Sequence, residues 1–147
     1  MTSWLPEHGY PALFLLSFLA ATLLPLGSEW LLAVMIAHGF APVGVVWIAT
    51  CGNTLGALTT YAIGLWGGPL LIGRLLRITP SDQLRAEKYF NRYGSWVLFF
   101  SWVPVLGDPL CLVGGLLRTG LVRFLLLVAC GKLLRYLVVA GVIATQY

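Results

Sequence analysis

The sequence predicts an all-α polytopic membrane protein made of two inverted repeats. Each repeat is a re-entrant helical hairpin followed by one transmembrane helix, and an interfacial amphipathic helix lies between them. Three observations carry this prediction. The first is composition: of 147 residues, 59% are hydrophobic and 10% charged, against about 45–50% apolar and 25% charged in soluble domains. The mean hydropathy is +0.90. The second is the alternation of unbroken apolar runs with runs broken by Pro and Gly. The third is a self-similarity at an offset of 79 residues.

Composition bounds the answer. It excludes an ordinary soluble domain and a disordered tail. The length suits a single membrane domain over 1–147, with repeat one at about 5–68 and repeat two at about 84–147. The net charge of +4 reads as a signal of membrane orientation, not of nucleic-acid binding. Cys51, Cys111 and Cys130 lie in apolar stretches and read as buried small residues; their odd count speaks against a disulfide framework or zinc site. No basic residue precedes the first apolar run, so the N-terminus does not read as a cleavable signal peptide.

The first apolar segment, Pro11 to Leu24, stops at "PLGSE", where Pro25 and Gly27 supply the break, and resumes from Trp30 to Ala37. Ala41 to Trp66 then runs without interruption, long enough for a bilayer crossing of about 20 residues. Residues 79–93 read as an amphipathic helix in the headgroup plane. Thr79 and Asp82 form a capping pair around Pro80. Arg85, Lys88 and Arg92 share one face, and Ala86, Tyr89, Phe90 and Tyr93 the next. Gly94 to Val103 stops at "PVLGDP", with Pro104, Gly107 and Pro109, and resumes from Leu110 to Leu117. Leu121 to Thr145 is the second long run. An arm of about 8–14 residues spans roughly 12–21 Å of helix, less than the ~30 Å hydrocarbon core.

Charge favours hairpins over kinked spans. Arg74, Arg77, Arg85, Lys88 and Arg92 cluster before the second broken segment, and Arg118 and Arg123 follow it. All fall on the cytoplasmic side only if each broken segment returns to the face it left. The repeat agrees. At an offset of 79, Pro25 meets Pro104, Glu29 meets Asp108, and "CGN" at 51–53 meets "CGK" at 130–132. One crossing per unit inverts the second unit, a plan common among transporters.

The candidate substrate or ion pathway is Glu29, Asn53, Asp108, Lys132 and Arg135. The two acids fall at the hairpin tips. Lys132 and Arg135 share a face of the last span, and Asn53 lies near the middle of the first. Each charge at the bilayer centre costs at least ~2.5 kcal/mol on insertion scales. Glu29 and Asp108 also read as acids opening the helices that follow them, and Lys132 and Arg135 as their salt-bridge partners. As a functional set, two half-helix N-termini and two cations suit an anionic headgroup, since Arg can grip phosphate bidentately. The glycine-rich stripe Gly52, Gly56, Thr60, Gly64 and Gly68 permits close helix approach, to the chain's own hairpin or across a dimer seam. His8 and His38 read as interfacial residues, and the six tryptophans as anchors or packing.

"FLAATLLPLGSEWLL", "CGNTLGALTTYAIG", "YFNRYGSWVLFFSWVPVLGDPLCLVGGLLR" and "CGKLLRY" together resemble the DedA superfamily of SNARE-associated or VTT-domain proteins, and most of all its short YqaA-like branch. The resemblance implies a multi-pass protein of the bacterial inner (plasma) membrane, two opposed re-entrant hairpins, and movement of undecaprenyl phosphate or phospholipid with a link to the proton-motive force. Glu29 falls on the family's first-hairpin acid, Asn53 where many members carry Asp, and Pro104 on the second-hairpin proline. Typical members place Arg on both sides of that proline. Here Phe100 to Val103 and Gly107 are apolar or small, Asp108 follows, and the basic charge lies at Lys132 and Arg135.

The expected function is transport of an anionic lipid or lipid phosphate between leaflets, with or without proton coupling. The rivals are a small-ion or proton antiporter and a non-transporting membrane assembly protein. No nucleophile–base pair points to an enzyme, and no motif to a metal, cofactor or nucleic acid. The chain is small for a lipid path, which a homodimer could complete.

Overall fold

The computed structural model describes residues 4–20, 28–67, 78–103 and 107–146. Its α-helices are α1 (Trp4–Ala20), α2 (Ser28–Ala37), α3 (Pro42–Trp66), α4 (Pro80–Tyr93), α5 (Gly107–Leu116) and α6 (Leu121–Ala144), with a 3₁₀ helix at Gly94–Trp102. There is no strand among the described residues. Pro25, Gly27 and Pro104, together with Gly68, Arg74 and Arg77, lie outside them.

Two helices are long and apolar enough to cross a membrane, α3 with 25 residues and α6 with 24. At 1.5 Å per residue each reaches about 36 Å. Neither contains a Pro beyond the first turn of α3, where Pro42 occupies a position with no backbone bond to lose. The shorter helices end where the sequence supplies a breaker or a cap. At α4 the Thr79 side chain accepts from the Asp82 N–H, Pro80 opens the helix, and Gly94, with φ of 69°, closes it. The α5 helix ends in a turn with Arg118 in left-handed backbone, φ 54°, where the Thr119 N–H donates to the Gly114 carbonyl at 3.0 Å.

Two elements differ from the sequence reading. Pro11 does not begin the first helix but lies inside it. Packing accounts for this: Tyr10 meets Phe40 edge-on at 5.3 Å, and Gly9 and Leu13 are buried. Those contacts hold the turns on either side of the proline. The arm at 94–103 is a 3₁₀ helix over nine residues, where runs beyond 3–4 residues are uncommon. Two glycines press on it: a Cβ on Gly107 would collide with the Ser101 carbonyl, and one on Gly131 with the Phe99 carbonyl.

The two long helices cross at the centre of the molecule. α3 packs on α1, α5 and α6, while α6 packs on the 3₁₀ segment, α3 and α2. Each short helix after a break thus lies on the long helix of the other half. One core gathers Leu13, Leu32, Met35, Ala49 and Tyr136. The other gathers Ala57, Phe90, Leu98, Leu110 and Phe124. Ala86 and Phe90 dock α4, leaving Arg85, Lys88 and Arg92 exposed. The α3–α5 crossing is close enough that Gly64 lies on the Leu112 carbonyl and Gly115 on the Tyr61 carbonyl. Gly52 lies on the Phe14 carbonyl of α1. Gly52 and Gly64 of the stripe therefore pack within the chain.

The cysteines correct one expectation. Cys111 is buried, but Cys51 and Cys130 are exposed. Each of these two lies on a long helix face that none of the other described residues covers, and apolar character alone does not distinguish such a face from a core.

Candidate functional site

Polar groups collect where α3 and α6 cross. Asn53 on α3 and Lys132 on α6 are both buried, and the Lys132 amine donates to the Asn53 Oδ1. The Asn53 Nδ2 donates in turn to the Ser17 carbonyl on α1, at 3.0 Å. An amide suits this position because it accepts and donates at once. An aspartate would accept from Lys132 and leave the Ser17 carbonyl without that donor. The expected salt bridge from Lys132 to an acid is not what forms: its hydrogen bond goes to the neutral Asn53.

One turn along, Arg135 pairs with Glu29 in the first turn of α2. The pair is partly open, with side chains 22% and 30% exposed. The Arg135 Nη1 also donates to the Trp102 carbonyl at 3.0 Å. This contact uses the planar fork of guanidinium, which can serve two acceptors in fixed directions. The Trp102 carbonyl is available because the 3₁₀ helix ends there.

Asp108 opens α5 and lies within electrostatic range of both Lys132 and Arg135. Glu29, Arg135, Lys132 and Asn53 are joined along one stretch of α6, while Asp108 stands at the start of α5 with no direct bond to them among the described residues. Gly107 and Pro109 are buried beside Asp108 in the first turn of α5. Their role is to start that helix against the 3₁₀ segment.

Sequence reasoning missed several members of the cluster. Tyr136 is buried, and its hydroxyl shares a 2.9 Å hydrogen bond with Ser28 Oγ, tying the start of α2 to α6. Its place four residues after Lys132, on the same helix face, was the available signal. Ser17 and Trp102 contribute through backbone carbonyls, which no side-chain pattern reveals. Thr50, Thr54 and Ser101 carry buried hydroxyls without a hydrogen-bond partner among the described residues. Buried hydroxyls of this kind ordinarily bind water.

Beside the ion pair runs an open groove of about 370 Å³. Glu29 and Arg135 line it with Trp102, Leu134, Val138 and Val139. Arg135 lies 14 residues after the start of α6 and nine before its end, so this charged spot in apolar walls falls well inside the span. Among the described residues no group of three or more His, Cys, Asp or Glu could hold a metal ion. His38 is exposed and bonds the Val34 carbonyl at 2.8 Å.

Comparison with known proteins gives the family. The VTT domain matches residues 24–145. The inner membrane protein YqaA of Escherichia coli (strain K12) is 41% identical over 131 residues, 88% of this chain and 87% of that protein. An uncharacterized protein of Haemophilus influenzae is 38% identical over 134 residues, 84% of this chain and 80% of that one. An alkaline phosphatase-like protein of Lactococcus lactis is 32% identical over 103 residues, covering 63% of this chain and 47% of that protein. No solved structure matches. With the domain spanning most of the sequence and two relatives aligned along nearly their whole length, the chain belongs to the VTT-domain (DedA) family of membrane proteins.

Proposed function

We propose that the protein moves an anionic lipid or lipid phosphate between the leaflets of the bacterial inner membrane, the membrane for which the YqaA relative is named. One observation carries the reading: the Glu29–Arg135 pair lines an otherwise apolar groove deep within a span. A lipid phosphate entering sideways would meet Arg135 there while its acyl chains kept to the bilayer. Glu29 holds the guanidinium when no ligand is present and competes for it afterwards, which allows release. Asp108 and Lys132 would supply the remaining polarity. The cycle needs no covalent step and no cofactor. Proton coupling would run through Glu29 or Asp108.

The architecture we infer is a pair of inverted repeats with opposed re-entrant hairpins. Two facts support it. At the 79-residue offset, α2 falls on α5 end for end, and the repeat-equivalent Asn53 and Lys132 touch each other. A near-symmetry axis passing between two equivalent residues gives that contact. The groove lies at the chain's surface, so a second copy could complete its wall.

The test is reconstitution. Proteoliposomes holding the purified protein should move a fluorescent phosphatidylglycerol from inner to outer leaflet faster than protein-free vesicles, with no response from a pH-sensitive dye unless lipid moves. A dye response without lipid movement would favour the antiporter. Neither response would favour the assembly protein.

A further inference from the structure

The seam between the 3₁₀ segment and α6 carries a second basic position. At the start of α6 a wider groove, about 690 Å³, is lined by Trp96, Leu121, Val122, Arg123 and Leu126 among others. The Arg123 Nη1 donates to Ser95 Oγ at 3.3 Å, which aims the guanidinium along the 3₁₀ segment. Trp96 is 70% exposed beside it. No acidic residue lines this groove among the described residues.

The two grooves are related. Arg123, Leu127, Leu134 and Val138 follow one another at spacings of four, seven and four, so they share one stripe of α6. The 3₁₀ segment runs beside that stripe in the same direction, placing Trp96 at the Arg123 end and Trp102 at the Arg135 end. Between them the seam is closed, because the buried Gly131 packs directly on the Phe99 carbonyl. Arg123 and Arg135 are twelve residues apart, or about 18 Å along the helix.

We propose that the wider groove is an entry site for a diacyl anionic phospholipid of the cytoplasmic leaflet, with Arg123 holding the phosphate and the apolar wall holding an acyl chain. The entry site rests on the groove itself; passage onward to Arg135 would need the 3₁₀ segment to part from α6 at Gly131, and that step rests on the translocation reading. Charge complementarity selects the occupant. A single exposed guanidinium above an apolar trough matches a molecule with one phosphate and a hydrocarbon tail. Free phosphate would leave the trough unused.

The experiment uses the full chain in nanodiscs with a photoactivatable phosphatidylglycerol or the matching phosphatidylcholine, and maps adducts by peptide mass spectrometry. Phosphatidylglycerol should label residues 121–127 about fivefold more than phosphatidylcholine, the preference one well-placed cation supports. Arg123→Gln should remove the excess, Arg85→Gln on α4 should keep it, and excess inorganic phosphate should not compete. Equal labelling by the two lipids, or full labelling of Arg123→Gln, would overturn the entry site. Transport measured on the same variants separates the two readings. Loss of the phosphatidylglycerol excess in Arg123→Gln supports the site whatever the variant's transport rate, whereas intact labelling without transport by the wild type sinks translocation alone.

Discussion

Arg135→Ala should lower lipid transport about 100-fold, equivalent to about 2.7 kcal/mol of barrier, while the protein remains folded. The guanidinium is the cation that lines the inner groove, and it serves Glu29 and the Trp102 carbonyl together. Without it the groove presents a lone carboxylate, which repels a phosphate. Stability should fall by only about 1–2 kcal/mol, because the pair is partly solvated and cannot be valued as a fully buried one. Arg135→Lys sharpens the test. It keeps the charge but loses the fork, so one ammonium must choose between Glu29 and the carbonyl. Transport should recover only in part. The readouts are initial rates in proteoliposomes and thermal unfolding in detergent; wild-type rates in Arg135→Ala would remove the arginine from the mechanism.

Gly115→Leu should have the largest effect on folding. Its Cβ would enter the Tyr61 carbonyl, a backbone atom of α3 that cannot rotate away. Forcing α5 off α3 also disturbs the reciprocal contact of Gly64 with the Leu112 carbonyl. Overpacking a well-filled core costs about 1–3 kcal/mol, and a clash with backbone belongs at or beyond the upper end. Asp108 opens the same helix, so the site should fail with the fold. Gly141→Leu is the control: nothing lies within 4 Å of a Cβ there. Size-exclusion profiles and melting curves should show loss of the monodisperse species for Gly115→Leu and wild-type behaviour for Gly141→Leu.

The long helices were legible because a bilayer crossing demands length and apolarity, and both are local properties of Pro42–Trp66 and Leu121–Ala144. The amphipathic helix was legible through Thr79, Asp82 and Pro80, whose capping chemistry is local too. Pro11 and the 3₁₀ segment were not, because distant residues decide them. Tyr10 is held by Phe40, and the 3₁₀ carbonyls by Gly107 and Gly131. The site divides the same way. The offset of 79 paired Asn53 with Lys132 and Glu29 with Asp108 before any geometry was known. The reading of Lys132 and Arg135 as salt-bridge partners of the two acids covers the Glu29–Arg135 pair; what stayed hidden was that Lys132 meets an amide in place of an acid. Partnering depends on which face of each helix turns inward, and a single sequence leaves that open for helices that are apolar nearly all round.

Inside the membrane a carboxylate and a lipid phosphate compete for one guanidinium, that of Arg135. Glu29→Gln tests this most directly, through transport of phosphatidylglycerol and phosphatidylcholine by matched proteoliposomes. The wild type should prefer the anionic lipid. Glu29→Gln should lower both the half-saturating lipid fraction and the maximal rate, the latter about tenfold, because ligand is held more tightly and released more slowly. Equal rates for the two lipids in the wild type, or an unchanged maximal rate in Glu29→Gln, would contradict this competition.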